Sequence, residues 1–218
     1  MRNRSRSSVS ISPPAGLRRS SGPSRAGVAL AELLAALALL GLIVAVTLPA
    51  MGGLLRKRSL AAAGATLAGE IARIRHEAIA RRRHVGIAFE RTPGADRYSV
   101  YVDGGRQGIL AAEIASGLDQ RVRGPVDIGA SFAGIRLGIP GPGRIPKIPP
   151  GRGVLVPGSD PVQFGGTDIV SFSPQGESSS GAVYLMDRGG ELRAVVVYGR
   201  TGRIREWAFN KNANVWRQ

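Results

Sequence analysis

Residues 27–55 read GVALAELLAALALLGLIVAVTLPAMGGLL, an apolar run with a single ionisable side chain, Glu32. As a helix, the stretch from Val28 to Leu55 would measure roughly 42 Å, which exceeds the ~30 Å hydrocarbon core of a bilayer. We therefore expect residues 28–55 to form a transmembrane helix. A secretory signal peptide fits less well, because its apolar region runs only about 7–15 residues and ends at a small-residue cleavage site.

Basic residues lie on both sides of this run. Residues 1–26 hold six arginines, no acidic residue and many Ser and Pro, so they cannot bury a core. The more strongly basic leader should stay cytoplasmic and send the remainder outward. Without these residues, 24 basic and 15 acidic side chains remain, a net charge of +9 instead of +15.

A helical pattern continues beyond the apolar run. Pro49 removes a backbone donor, and Gly52-Gly53 weakens the helix further. An apolar stripe then recurs at helical spacing through Leu60, Leu67, Ile71, Ile74 and Ala78. On the polar side, Glu70 and Glu77 stand three and four residues before Arg73 and Arg81, a spacing that favours ion pairs. Residues 56–83 are predicted as an amphipathic continuation of one helix that ends near Arg82.

From residue 84 onward the pattern alternates, as it does in strands. Segments 84–90 and 97–103, joined by a Pro93-Gly94 turn, predict a hairpin. Further strand candidates are 108–115, 126–138, 168–173, 181–187, 191–198 and 203–209. The spacing of the Gly-rich turns favours an antiparallel sandwich or a packed pair of sheets in residues 84–218.

Glu32 is costly in an apolar helix unless it lies near an interface or has a cationic partner. Gly27 at the end of a basic leader, Glu32 as the fifth residue after it, Leu33-Leu34 and Pro49 together resemble the class III signal of type IV pilins and pseudopilins. The resemblance implies cleavage of a leader, residues 1–27, by a prepilin peptidase and methylation of the new amine on Val28. It also implies that Glu32 pairs with the N-terminal amine of a neighbouring subunit. Val28 stands where the family usually has Phe.

The segment 172–207 carries a second resemblance, to the closing part of GspH/FimT-type minor pilins. The matching positions are Phe172, Gly176, Gly181, Gly199, Thr201, Gly202 and Arg203. Together the two resemblances imply an α+β, pilin-like fold: a long N-terminal helix whose first half spans the membrane, packed on a C-terminal antiparallel β-sandwich.

The function that these resemblances imply is that of a minor pseudopilin of the type II secretion pseudopilus, which exports folded proteins. The protein would be a single-pass protein of the bacterial inner membrane with a periplasmic C-terminal domain. Its partners would be other pseudopilins, the prepilin peptidase and the inner-membrane secretion platform.

The Gly- and Pro-rich stretch 138–153 contains Arg144, Lys147 and Arg152 and no acidic residue. It reads either as a basic contact loop for DNA, lipid or another subunit, or as a solvated insertion with an extended, polyproline-like path. With Arg203 and Arg205, these residues support an alternative function, a FimT-like minor pilin that binds DNA during uptake.

Catalytic signatures are missing from the sequence, and we expect a non-enzyme without cofactors. There is no cysteine, so thiol catalysis and Cys-ligated metals are excluded. His76 and His84 lack the spacing of a zinc site and are expected on a solvated face. Asp residues at strand ends, such as Asp103 and Asp187, suit turns. A calcium site among such carboxylates stays open.

Overall fold

The computed structural model describes residues 25–141 and 143–218, with side chains for residues 30, 32–45, 57–141 and 143–218. Residues 1–24 of the predicted leader (1–27) therefore lie outside the described residues. The chain divides into two compact units, one ending at Pro49 and the other covering Ala50–Gln218. The elements in chain order are α1 (Arg25–Arg81), β1 (Val85–Thr92), β2 (Ala95–Val102), α2 (Ala111–Ser116), β3 (Gln120–Asp127), α3 (Ile128–Ser131), β4 (Ile135–Leu137), β5 (Ile145–Pro146), β6 (Val154–Leu155), β7 (Val162–Gln163), β8 (Ile169–Phe172), β9 (Gly181–Asp187), β10 (Leu192–Tyr198), a 3-10 turn (Gly199–Thr201), β11 (Arg203–Asn210) and β12 (Val215–Arg217).

The predicted α+β, pilin-like fold with a membrane-spanning helix is wrong. Strands hold 37% of the residues and helices 30%, and the strands form three antiparallel sheets. Among the residues that the structure describes, no helix is both long and apolar enough to cross a membrane. From Lys57 onward, α1 carries charged residues on one side, which make this part of the helix amphipathic. Beyond Arg81, turns cut the chain into strands and into helices of 6 and 4 residues.

The three sheets differ in size. The four-stranded sheet has the order β3-β2-β1-β8, and the six-stranded sheet has the order β12-β11-β10-β9-β4, with β7 also pairing with β9. The short strands β5 and β6 pair only with each other within the described residues. All of these pairings are antiparallel.

The predicted hairpin is confirmed. Strands β1 and β2 pair in unbroken register from Val85 opposite Val102 to Thr92 opposite Ala95, and Pro93-Gly94 forms the turn. The Thr92 hydroxyl donates to the Ala95 carbonyl at 3.1 Å and closes the loop. Proline sets the backbone angle that the first turn position needs, which is why this signal was readable.

Two strand predictions are wrong in part. Segment 108–115 contains the start of the helix α2, which ends at Gly117 with φ +78, a left-handed conformation that favours glycine. Segment 126–138 is split by α3, because the Asp127 side chain accepts a hydrogen bond from the Ala130 amide at 2.9 Å and caps a helical turn.

The apolar stripe predicted on α1 is confirmed as the buried side of the helix. Ile71, Ile74 and Ala78 are fully buried, and Leu60 and Leu67 are nearly so. They form one hydrophobic cluster with side chains of both larger sheets, including strands β1 and β9. The part of α1 from residue 60 onward is therefore held by the main core of the second unit.

The polar side of the same helix segment is connected to the four-stranded sheet by ion pairs between side chains. The predicted pairs are present, with Arg73 Nη1 3.7 Å from Glu70 Oε2 and Arg81 Nη2 2.7 Å from Glu77 Oε1. Arg123 of β3 adds a cation between the two glutamates. Its Nη1 donates to Glu77 Oε2 at 2.8 Å and its Nε donates to Glu70 Oε1 at 3.1 Å.

A second core covers the opposite face of the six-stranded sheet. Ile145, Ile148 and Leu155 pack there in one cluster with Tyr184 and Trp216. Stretch 138–153 is therefore neither a solvated insertion nor wholly extended, since its isoleucines are buried while its basic residues remain exposed.

Candidate functional site

The first unit presents an apolar surface with one acidic residue. Its large apolar side chains between Leu30 and Val44 are between 45% and 63% exposed. Successive residues of a helix are rotated by about 100°, so this run covers all sides of the helix. Glu32 is exposed within the run, and its carboxylate makes no hydrogen bond or ion pair with any residue that the structure describes.

The residues predicted for processing and assembly lie in or beside this unit. Gly27 and Val28 fall within the bounds of α1, and the side chain of Val28 is outside the described set. Pro49 is the last residue of the first unit.

Three glycines of the C-terminal resemblance, Gly176, Gly199 and Gly202, lie in turns of the second unit that contact one another. A Cβ atom on Gly202 would collide with the Gly176 carbonyl oxygen, and one on Gly199 with the Ser178 carbonyl oxygen. Phe172 is fully buried in the main core. These positions therefore serve close backbone packing, which only glycine permits.

Arg75 joins the two turns that carry these glycines, and the sequence reading did not single it out. Its Nε donates to the Gly176 carbonyl at 3.1 Å, and its Nη2 donates to the Thr201 carbonyl at 3.1 Å. The partners lie 101 and 126 residues along the chain, so no local pattern signals the contact. The only available signal was an arginine on the polar side of the stripe without an acidic residue at helical spacing.

The predicted basic residues gather on one side of the six-stranded sheet. Arg203 and Arg205 are exposed and lie on the same face of β11 as Trp207, which packs against the second core, because every second residue of a strand shares a face. The stretch with Arg144, Lys147 and Arg152 lies over the same face, where Trp216 Nε1 donates to the Pro146 carbonyl at 2.7 Å. The three residues are exposed, so the structure brings both predicted basic groups to one side.

Three carboxylates from separate segments also converge. One oxygen each of Asp103, Glu113 and Asp119 lies within 4.8 Å of the others, a separation from which oxygens can hold a cation. Both aspartates are 2% exposed, and their oxygens already accept backbone amides, Gly104 and Leu110 bonding to Asp119 at 3.0 and 3.1 Å. These aspartates therefore organise the loops of residues 103–119.

The electrostatics of this cluster differ between its members. Burial raises the pKa of Asp103, but backbone amides of Gly108, Arg106 and Gly105 and the His84 ring outweigh burial and hold the pKa below its ordinary value. Burial and the charges of Asp119 and Asp103 raise the pKa of Glu113. Its Oε2 is buried without a hydrogen-bond partner among the described residues.

The two histidines have different surroundings. His84 Nδ1 lies 3.1 Å from Asp103 Oδ2, and the ring is partly buried, so His84 is not on the solvated face that the sequence predicted. His76 is exposed, and its ring makes no hydrogen bond or ion pair with any described residue.

Comparison with protein-family models, with curated proteins and with solved structures finds no match for this chain. Functional arguments therefore depend on its own residues. The geometry offers two kinds of chemistry: association through the apolar surface around Glu32, and anion contacts through exposed arginines.

Proposed function

We propose that this chain is a minor pseudopilin, a structural subunit that assembles into a type II secretion pseudopilus through packing of its apolar helix against copies of related helices. The observation that carries this proposal is Glu32, an exposed carboxylate without a partner among the described residues, inside a run of exposed apolar side chains. Exposed apolar side chains are unfavourable in water, and an unpaired carboxylate is unfavourable in an apolar interface.

The magnitudes support association as the driving term. Full burial of a leucine contributes about 1.5–3 kcal/mol, so covering one that is still mostly exposed contributes about 1–2 kcal/mol. The exposed leucines of this run, which are 55–63% exposed, would together contribute on the order of 10 kcal/mol when covered. An unpaired carboxylate in such surroundings costs only about 3 kcal/mol. Apolar packing therefore dominates the energy, and Glu32 has the smaller role of selecting the register.

The partner that suits Glu32 is a primary amine at the same depth. Cleavage after Gly27 would free an amine on Val28, four residues before Glu32, and a neighbouring subunit shifted along the helix axis would bring its own amine to this carboxylate. A wrong register would leave the carboxylate unpaired in apolar surroundings and would be penalised.

The proposal includes a location and partners. The chain would reside at the bacterial inner membrane, with residues 84–218 in the periplasm, and it would meet a prepilin peptidase, the secretion platform and sister pseudopilins. Cell fractionation and protease accessibility from the periplasmic side test the location.

The test compares Glu32→Gln with a matched control, Glu90→Gln, in which an exposed glutamate of β1 loses its charge. Both variants should be cleaved between Gly27 and Val28, as mass spectrometry of the extracted protein reports. Only Glu32→Gln should lose cross-links and co-purification with sister subunits. Normal incorporation of Glu32→Gln, or an intact N-terminus in the wild type, would contradict the proposal.

A second candidate function, a FimT-like minor pilin that binds DNA, is favoured by one observation. Arg203 and Arg205 lie on the side of the six-stranded sheet that the basic stretch 138–153 covers. If both arginines contact phosphates, changing both to Gln should remove about two phosphate contacts. The slope of the logarithm of the DNA-binding constant against the logarithm of the salt concentration should then become less steep by about 2. The control is Arg97→Gln on the other sheet, and no gel retardation of wild type at low salt would remove this candidate.

A further inference from the structure

A pocket at the end of α1 is lined by an unusual number of cations. Its volume is about 610 Å³, within the range of sites for small ligands. It is lined by Arg82, Arg83, His84, Asp103, Gly104, Arg106 and Pro174. The basic residues come from two segments, the connection between α1 and β1 and the turn that follows β2.

The guanidinium groups of the three arginines in this pocket are unpaired, because the oxygens of the one carboxylate that lines it, Asp103, are bound to the Arg106 and Gly108 amides and lie beside the His84 ring. Arg82, Arg83 and Arg106 are exposed, and their side chains make no hydrogen bond or ion pair with any described residue. By contrast, the neighbouring Arg81 is paired with Glu77 at 2.7 Å and does not line the pocket. Three like charges at one pocket repel one another, and a bound anion would relieve that repulsion.

The backbone supports the same interpretation. Arg82 has φ +52 and Arg106 has φ +68, both in the left-handed region where a residue other than glycine costs about 1–2 kcal/mol. Glycine would fit either position at lower cost, and the turn after β2 already uses Gly104, Gly105 and Gly108. The chain thus keeps arginine side chains at two positions where the backbone favours none.

Stabilisation of the helix end explains only part of this arrangement. Cations near a helix C-terminus interact favourably with the helix dipole, which accounts for Arg82 and Arg83. Arg106 belongs to a different segment and gains nothing from that dipole. Its presence in the same pocket needs another reason.

A buried carboxylate holds both segments in place. Asp103 is 2% exposed, and its Oδ1 accepts the Arg106 amide at 2.6 Å while its Oδ2 accepts the Gly108 amide at 3.0 Å. His84 Nδ1 lies 3.1 Å from the same Oδ2. Because the pKa of Asp103 is held below its ordinary value, the carboxylate is ionised and Nδ1 is the donor. The Nε2 atom of His84 is then the ring nitrogen left for a ligand: it accepts from a protonated phosphate oxygen in the neutral ring and donates to a phosphate oxygen in the protonated ring.

We propose that this pocket binds a phosphate group, held by the guanidinium groups of Arg82, Arg83 and Arg106 and oriented by His84. A phosphate presents several oxygens in a tetrahedron and can accept from donors that approach from different directions, whereas a carboxylate presents only two in a plane. Guanidinium forks match phosphate oxygens in pairs. The phosphate ligands proposed here all lie within residues 82–106, so the proposal is independent of assembly through Glu32.

The test uses the full chain, kept in solution by mild detergent, and inorganic pyrophosphate as the probe in calorimetric titrations at low salt. Arg82→Gly and Arg106→Gly remove the side chains while giving the backbone its preferred residue, so thermal stability should hold or rise. Each change should weaken pyrophosphate binding at least tenfold. The control Arg136→Gln removes an exposed arginine of β4 that makes no ion pair with a described residue, and it should weaken binding less than twofold.

Two results would overturn the proposal: no saturable binding of pyrophosphate to the wild type, or an equal loss in Arg136→Gln and the pocket variants. Phosphatidic acid vesicles identify the source of the phosphate group. Vesicle binding that is lost in Arg106→Gly supports a lipid headgroup, and pyrophosphate binding without vesicle binding supports a free phosphate compound.

Discussion

Replacement of Arg123 by Gln should destabilise the second unit in a way that depends on pH. Arg123 lies between Glu70 and Glu77, with its Nη2 3.0 Å from Glu70 Oε1, although this nitrogen is not aligned for a hydrogen bond. Its Nη1 and Nε atoms make the two hydrogen bonds to the glutamates. Removal of the cation leaves two carboxylates on α1 facing the sheet with less compensation.

The size of the effect follows from burial. Removing one partner of a fully buried ion pair costs about 3–5 kcal/mol. Here the side chains of Arg123, Glu70 and Glu77 are 25%, 16% and 15% exposed, so solvent screens part of the loss. We expect a decrease of about 2 kcal/mol in the free energy of unfolding near neutral pH.

The pH dependence has a definite sign. Burial raises the pKa of Glu77, but hydrogen bonds and charge from Arg123 and Arg81 outweigh it and lower the pKa. Stability from this group is therefore present above the unfolded pKa and is lost as the pH falls through the folded pKa. Without Arg123 the balance shifts toward burial, so the difference between variant and wild type should be largest at neutral pH and shrink below about pH 4.

Urea unfolding followed by tryptophan fluorescence measures this loss, because Trp207 and Trp216 both lie in the second unit. The matched control is Arg121→Gln, which removes an exposed arginine of the same strand that makes no ion pair with a described residue. It should change stability by less than about 0.5 kcal/mol. The reasoning would be refuted if Arg123→Gln lost no more unfolding free energy than the control. It would also be refuted if the loss were the same at neutral pH as below about pH 4.

Three further predictions concern the second unit and use the same unfolding assay. Ile74→Ala should cost about 2–5 kcal/mol because Ile74 is fully buried, whereas Ile79→Ala, at a position 42% exposed, should cost far less. Gly202→Ala should cost more than about 2 kcal/mol, because φ is +59 and the new Cβ atom would collide with the Gly176 carbonyl; an unchanged midpoint would mean that the turn relaxes freely. Glu113→Gln should stabilise the protein at neutral pH and not below the ordinary pKa of glutamate, since burial and neighbouring carboxylates raise the pKa of Glu113 and penalise its charged form; a destabilised variant at neutral pH would contradict this.

Local patterns predicted the parts of the fold that depend on local chemistry. The stripe through Ile71 and Ile74 was readable because one face of a helix must be apolar to be buried. The β1–β2 hairpin was readable because Pro93-Gly94 sets a turn. The strand prediction for segment 108–115 is wrong in part because its apolar residues fit both the helical and the strand period. The left-handed C-cap at Gly117 is the feature that indicates a helix.

The wrong fold class has a different cause. The apolar run 27–55 predicts a membrane helix by its hydropathy, and the resemblance adds a complete pilin-like architecture to that prediction. The short strands β5, β6, β7 and β12 consist of two or three residues each and have no periodic signal. Strands β7 and β12 form because β9 and β11 supply their partners, and β5 and β6 form because they pair with each other.

The candidate sites divide in the same way. Glu32 was apparent from the sequence because a carboxylate interrupts an apolar run. The pocket was missed because Arg82 and Arg106 are 24 positions apart and are brought together by the β1–β2 hairpin. Arg75 and its carbonyl partners are separated by 101 and 126 positions along the sequence, which is a still larger separation.

The position of Arg75 also has a mechanical consequence. Its guanidinium bonds to two turns, while Arg123 holds two glutamates of the same helix segment to a different strand. A force that pulls this segment along its axis would load these bonds in parallel, as a shear, and none could yield without transferring its share to the others. The sheets would thus resist extraction of the helix far better than they would resist peeling from one end.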